Sequence, residues 1–224
     1  MLAAVVTAAT RSRALGRMGA VLVSGVATGA AVGLAVARVR GDRMAPWILG
    51  RATGICAYLV LVGVVLLGLS LSHPRRAERG RSAPTRMRAH VTLSVLALAL
   101  IALHVVVLAT DRYAGVGWSG AVLPMGAQYR PTAVTLGVVG AWIGLLAGLS
   151  AAAAGRLPRR LWWPLHKVAA ISLVLIWLHG VFAGSDTPAL LALYLASGAI
   201  VLVAAAHRYL ARGRVQLGAT DGSR

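Results

Sequence analysis

Histidine is the residue type in this sequence whose spacing most clearly predicts chemistry. The chain has six histidines, and four of them lie inside long apolar runs. His90 and His104 are 14 residues apart in one run, and His166 and His179 are 13 residues apart in a later one. An ionisable ring inside a membrane is costly and usually marks a functional site. On two helices that run in the same direction, the rings would form two levels about 20 Å apart. One level pairs His90 with His166, and the other pairs His104 with His179.

Two imidazoles at one level could bind the iron of a haem from both sides. Iron with both axial positions filled tends to pass electrons rather than bind oxygen. The single cysteine, Cys56, is not in a CxxCH motif, so the haem would be a non-covalent b haem. Zinc fits less well because it prefers four ligands, and the five carboxylates are scattered. We therefore expect two b haems, or one if a level is not used, with these four histidines as the metal ligands.

An alternative function stays open at this point. The protein could be a haem-free membrane scaffold or transporter whose histidines only pack against backbone carbonyls. Transporters tend to have helices interrupted near the middle of the membrane, and no proline lies deep within an apolar run here. His73 and His207 close apolar runs beside basic residues, and we interpret them as interfacial residues with no special role.

Haem propionates need cationic partners, and the sequence offers candidates near both levels. Arg51 lies about one turn inside an apolar run, in WILGRATG, where an unpaired arginine would be expensive. We expect it to bind a propionate or a substrate anion, although it could instead reach the membrane surface past Trp47. Lys167 directly follows His166 and is expected to serve the other level. The remaining candidates for that level are Arg86, Arg88, Arg159 and Arg160.

These residues require long apolar helices to position them. The chain has 224 residues, of which 58% are hydrophobic and 12% charged, against about a quarter charged in a soluble domain. This composition excludes an ordinary soluble enzyme and a disordered tail. Stretches of about 20 apolar residues predict an all-α bundle of six transmembrane helices. The predicted spans are Gly16–Ala37, Ala45–Ser72, Met87–Thr110, Thr132–Ala154, Leu161–Ala183 and Pro188–Leu210.

Charge predicts the orientation of this bundle. The formal net charge is +18, but the basic residues occur in short clusters between apolar runs, which indicates membrane topology rather than nucleic-acid binding. Seventeen Lys and Arg residues lie on the side of both predicted termini and five on the other side. Both termini should therefore be cytoplasmic, in a multi-pass protein of the plasma (inner) membrane. We expect residues 1–15 to be an interfacial leader, 16–210 the bundle, and 211–224 a short cytoplasmic tail.

Two details of the spans give further expectations. Glycines recur at every fourth residue in the first and fourth spans, which favours close packing within the bundle over a homodimer face. Fourteen helical residues return to within about 40° of the same face, whereas thirteen miss it by about 140°. The fifth span must therefore bend, bulge or rotate its two rings differently. The glycines are Gly25, Gly29, Gly33, Gly140, Gly144 and Gly148.

Three segments of the chain resemble a known membrane family. They are RMRAHVTLSVLALALIALHVV with histidines 14 apart, WWPLHKVAAISLVLIWLHGVF with histidines 13 apart, and GRATGICAYLVL with its early arginine. They resemble the ferric-reductase-like transmembrane domain of ferric reductases, NADPH oxidases and the haem-binding membrane subunit of the bacterial methionine sulfoxide reductase system. The resemblance covers roughly Ala45 to Leu210.

The resemblance implies a function and also a departure from the family pattern. It implies two stacked b haems that carry electrons from the cytoplasmic to the outer side, to ferric iron, a quinone, oxygen or a partner redox enzyme. Ferric reductases and NADPH oxidases continue into a flavin and nicotinamide module after the sixth span, and this sequence does not. We therefore expect a separate flavoprotein or quinol as the electron donor. Besides membrane lipid, we expect an extracytoplasmic redox protein as a partner and no nucleic acid.

Overall fold

Apolar helices dominate the structure. The computed structural model describes residues 44–73 and 83–221, and every regular element in them is helical. Five helical stretches are long and apolar enough to cross a membrane, which indicates a multi-pass membrane protein. The helices are α1 (Ala45–Leu71), α2 (Ala83–Thr110), α3 (Gly117–Val122), α4 (Pro131–Ala152), α5 (Arg159–Lys167), α6 (Ala169–Ala183) and α7 (Thr187–Asp221).

The predicted second to sixth spans correspond to these elements. Helices α1, α2, α4 and α7 each form one span, and α5 and α6 together form another. The predicted first span, Gly16–Ala37, and the leader 1–15 lie outside the described residues. Helix α7 continues to Asp221, into the segment expected to be a tail.

Side chains of α1, α6 and α7 pack together in a buried cluster. Tyr58 of α1 hydrogen-bonds through its hydroxyl to Ser197 of α7. The Tyr58 and Tyr194 rings lie 5.4 Å apart in a buried cluster with Val62 and Leu173. This cluster joins α1, α6 and α7 in the middle of the bundle.

The two ends of the bundle differ in composition. At one end, which we call the aromatic end, Trp47 makes edge-to-face contacts with Tyr113 and Tyr129 at 5.8 and 5.9 Å between ring centroids. Amphipathic rings of this kind are enriched at the membrane–water interface. The other end, the basic end, contains most of the cations that the structure describes. These are Arg86, Arg88, Arg156, Arg159, Arg160, Lys167 and Arg208.

The glycine stripe of α4 packs within the bundle, as predicted. A Cβ atom on Gly140 would lie 2.9 Å from the Ile176 side chain, and one on Gly144 would lie 2.9 Å from the Ser172 hydroxyl. The Ser172 hydroxyl donates a hydrogen bond to the carbonyl oxygen of Gly140 at 2.7 Å, and the residue is only 1% exposed. Small residues thus bring the backbones of α4 and α6 close together. The stripe predicted in the first span lies outside the described residues.

Ser172→Ala should lower the stability of the bundle modestly. The variant loses one buried interhelical hydrogen bond, which is worth about 0.5–1.5 kcal/mol. Thr110→Ala is a matched control, because the Thr110 hydroxyl bonds to a carbonyl of its own helix and is exposed. Thermal unfolding in detergent should show a lower midpoint for Ser172→Ala than for the control. Equal midpoints would contradict a stabilising role for this bond.

Candidate haem-binding site

The structure brings the four predicted histidines together in the two predicted pairs. The rings of His90 on α2 and His166 on α5 have centroids 6.0 Å apart. The rings of His104 on α2 and His179 on α6 have centroids 6.3 Å apart. The planes within each pair are close to perpendicular, at 81° and 80°. We call the first pair the basic-end level and the second the aromatic-end level.

These separations fit one metal ion between two imidazoles. Imidazole nitrogen to metal bonds are about 2.0 Å long, which puts the two nitrogens about 4 Å apart and the ring centres roughly 1 Å further out on each side. The expected centroid separation is therefore about 6 Å, close to both observed values. Among the described residues, no group of three or more His, Cys, Asp and Glu gathers at one point. Each level thus offers two imidazole ligands, which suits the two axial positions of a haem iron.

Three of the four imidazoles are held in place by backbone carbonyls. The Nδ1–H groups of His90, His104 and His179 donate hydrogen bonds to carbonyl oxygens of neighbouring helices at 3.0, 2.6 and 2.8 Å. Because Nδ1 carries the proton, the neutral ring keeps a free lone pair on Nε2 for a metal. Metal-binding histidines usually donate their other N–H in this way. The three acceptor residues are Val64, Gly50 and Ala133, respectively.

A glycine lies four residues after each of these carbonyls. Residues i and i+4 share one face of a helix, so the missing side chain leaves room for the histidine ring beside the carbonyl. A Cβ atom on Gly54 would lie 2.8 Å from the His104 ring, and one on Gly137 would lie 2.7 Å from the His179 ring. A Cβ atom on Gly68 would lie 3.3 Å from His90. Each ring is therefore seated by a carbonyl and a glycine one turn apart.

Sequence reasoning did not find these glycine seats. Gly54 and Gly68 of α1 are 14 residues apart, the same separation as the histidines that they face on α2. The equal 14-residue spacing of the two glycines and the two histidines was the feature of the sequence that could have identified these glycines. It becomes informative only once α1 and α2 are known to be antiparallel neighbours.

His166 differs from the other three histidines. Its Nδ1 atom is buried and has no hydrogen-bond partner among the described residues. Its ring stacks on Trp163, with centroids 6.2 Å apart and planes 28° apart. The cations Arg159 and Lys167 lie over the same Trp163 ring, at 5.6 and 5.3 Å from its centroid. The His166 ring is thus held by an aromatic contact instead of a carbonyl.

The fifth span breaks between its two histidines, as its 13-residue spacing predicts. The N–H of Val168 bonds to the carbonyl of Leu165 at 3.2 Å, and the N–H of Ile171 bonds to that of Val168 at 2.9 Å. These i to i+3 bonds are typical of a 3₁₀ turn, which advances about 120° per residue instead of about 100°. The same stretch keeps i to i+4 bonds from Val168 to Pro164 and from Ser172 to Val168, so the departure from α-helix is confined to the turn at Val168.

The aromatic-end level opens into a cavity with a largely apolar lining. His104 and His179 both line it, together with Arg51 and Asp186. A haem needs such a lining around its macrocycle and polar partners for its two carboxylates. The remaining wall is built mainly from aliphatic and aromatic residues of α1, α2, α4 and α6, such as Ile55, Ile101, Leu108, Val138 and Ile176.

Arg51 is paired with a carboxylate that sequence reasoning had not connected to it. Its Nη2 atom contacts a carboxylate oxygen of Asp186, which lies between α6 and α7. Its guanidinium also lies over the Trp47 ring, 5.7 Å from the centroid. Arg51 therefore lies at the aromatic-end level, where the sequence placed it, with an internal partner. Its contact with a haem propionate stays a prediction.

The basic-end level also has polar atoms available to an anion. The buried Nε of Arg86 has no hydrogen-bond partner among the residues that the structure describes. Lys167 is exposed on α5 next to His166. Arg86 precedes His90 by one helical turn and Lys167 directly follows His166, and their contact with a propionate stays a prediction.

Comparison with known proteins adds no relative. No family model, curated protein or solved structure matches the chain. The resemblance to the ferric-reductase-like domain therefore depends on the histidine spacing and the arginine alone, and its implications are proposals below.

The two remaining histidines meet at the basic end. The rings of His73, two residues after α1, and His207 on α7 stack with centroids 5.0 Å apart and planes 22° apart. Next to them, Nε of Arg208 donates to the Ser72 hydroxyl at 2.6 Å. The stacking connects the C-terminal end of α1 with α7, and the interfacial position of these histidines stays a prediction.

Proposed function

We propose that this protein is a membrane b-type cytochrome, related to the ferric-reductase-like transmembrane domain, that carries electrons across the plasma membrane through two bis-histidine haems. The observation that supports this most strongly is the pair of histidine levels, each about 6 Å wide between ring centres, with three rings oriented by backbone carbonyls. Packing alone would not require two equally spaced pairs on the same two spans. When bound, a haem between two imidazoles supplies a one-electron ferric and ferrous couple.

The chain's own residues would orient the haem ligands, exclude water and bind the propionates. The carbonyl of Gly50 holds the His104 ring in the tautomer whose Nε2 can bind iron, and the carbonyl of Ala133 does the same for His179. Apolar side chains around the cavity exclude water from this level. Arg51 would bind a propionate at the aromatic end, and Lys167 would bind one at the basic end.

The charge distribution supports a direction for the electrons. With the basic end in the cytoplasm, as the six-span topology with cytoplasmic termini requires, electrons would enter at His90 and His166. They would leave at His104 and His179. The two levels are about 20 Å apart along the helices, which divides a hydrocarbon core of about 30 Å into shorter steps. A separate flavoprotein or a quinol would donate the electrons. Ferric iron, a quinone, oxygen or an extracytoplasmic redox protein would accept them.

Optical spectroscopy of the full chain tests this function directly. We expect protein purified in detergent from haem-replete cells to show a Soret band, b-type bands after dithionite reduction, and two haems per chain. A featureless Soret region would overturn the proposal in favour of the haem-free scaffold or transporter. A ratio of one haem per chain would overturn the two-level version and leave a single-haem cytochrome.

A further inference from the structure

The ion pair between Arg51 and Asp186 joins two parts of the aromatic-end level that are distant in sequence. Arg51 is on α1, and Asp186 is in the connection from α6, which contains His179, to α7. Both residues line the cavity that His104 and His179 also line. The ion pair is therefore part of the wall around this level.

Stability alone explains this ion pair poorly. The Asp186 side chain is 46% exposed and that of Arg51 is 26% exposed, and ion pairs in such surroundings add little to stability. A long arginine side chain near a membrane surface would otherwise extend toward water. Asp186 on one side and the Trp47 ring on the other restrict where the guanidinium can lie.

The guanidinium has enough donors for a second carboxylate. Arginine carries five N–H donors in a planar fork, more than one carboxylate needs, and Asp186 contacts it at Nη2. We propose that Asp186 is a positioning residue, which holds the Arg51 guanidinium toward the carboxylates of the haem between His104 and His179. This inference rests on the function proposed above.

The midpoint potential of the aromatic-end haem distinguishes positioning from a direct charge effect. Reduction adds an electron, so a nearby positive charge raises the potential and a nearby negative charge lowers it. If Asp186 acted only through its own charge, Asp186→Asn would raise the potential. If Asp186 holds Arg51 in place, the variant releases the guanidinium and the potential falls.

A double-mutant cycle with redox titration is the experiment. The aromatic-end component is identified as the one that disappears in His104→Ala. We expect Asp186→Asn and Arg51→Gln each to lower its potential, and Asp186→Glu to stay close to wild type. In the Arg51→Gln background, Asp186→Asn should produce no further fall. Upward shifts of equal size in both backgrounds would overturn the inference.

Asp111→Asn is the matched control. Asp111 lies at the same end of the bundle, at the end of α2, where its carboxylate accepts the N–H of Tyr113 at 2.9 Å. Its loss removes a negative charge without releasing Arg51, so the potential should not fall. Wild-type protein without haem would overturn the proposed function itself. Wild-type protein with two haems whose potentials are unchanged in Asp186→Asn would overturn this inference alone.

Discussion

Replacement of His104 by alanine removes one of the two b haems and leaves the other bound, if each level holds its own haem. The variant leaves His179 as a single ligand on the aromatic-end level, whereas His90 and His166 are untouched on the other. Because the levels are about 20 Å apart along the helices, we expect the haem to protein ratio to fall from two to one. The pyridine haemochrome assay measures this ratio, and the reduced spectrum identifies the remaining component.

The same assay tests the pairing of the histidines. His179→Ala should leave the same spectral component as His104→Ala, and His90→Ala and His166→Ala should both leave the other. His207→Ala is the control, because its ring stacks on His73 and belongs to neither level, so it should retain both haems. Identical residual spectra for His104→Ala and His166→Ala, in protein that elutes as a single species, would contradict the pairing.

Adding one methyl group at Gly137 should have almost as large an effect on haem content as removing a ligand. A Cβ atom there would lie 2.7 Å from Nδ1 and 2.8 Å from Cγ of His179, so the ring must leave its seat and its bond to Ala133. Gly54→Ala should act in the same way on His104. We expect loss of the aromatic-end haem, or at least the 10–100-fold weakening typical of disturbed outer-shell partners of a metal ligand. Haem titration of the purified variants measures the change.

Gly63→Ala is the control for Gly54→Ala on the same helix. A Cβ atom on Gly63 would lie 3.9 Å from Leu93, an ordinary contact. Alanine is favoured over glycine in a helix by about 1 kcal/mol, so this variant should keep both haems and be at least as stable as wild type. Normal haem content in Gly54→Ala and Gly137→Ala would show that the glycine seats are not needed.

The spans and the histidine pairing could be predicted because both depend on local patterns. Hydropathy placed the second span at Ala45–Ser72, and the helix is Ala45–Leu71. It placed the third span at Met87–Thr110, whereas α2 begins at Ala83. Hydropathy reports where a helix enters lipid, but backbone hydrogen bonding continues the helix beyond that point. The unequal spacing of the fifth span predicted a break, and only the backbone showed that it lies at Val168.

Partners from distant parts of the chain could not be predicted. Asp186 lies in the connection after the fifth span, and no sequence pattern connects it with Arg51. The carbonyl of Ala133 is present whatever the side chain is, so nothing in the sequence marks it as the partner of His179. Such contacts depend on which helices are neighbours and on how each is rotated, and hydropathy alone determines neither.

The backbone carbonyls that bind the imidazoles also affect which amino acids each position of this site can accept. A main-chain oxygen is the same for every amino acid, and the three that hold the imidazoles belong to Gly50, Val64 and Ala133, which share no side-chain chemistry. Substitution at Val64 or Ala133 leaves the acceptor oxygen in place, whereas Gly50 is itself restricted in size because a Cβ atom there would lie 2.6 Å from the Leu108 side chain. The proposed haem site therefore depends on main-chain atoms as well as on its four histidines.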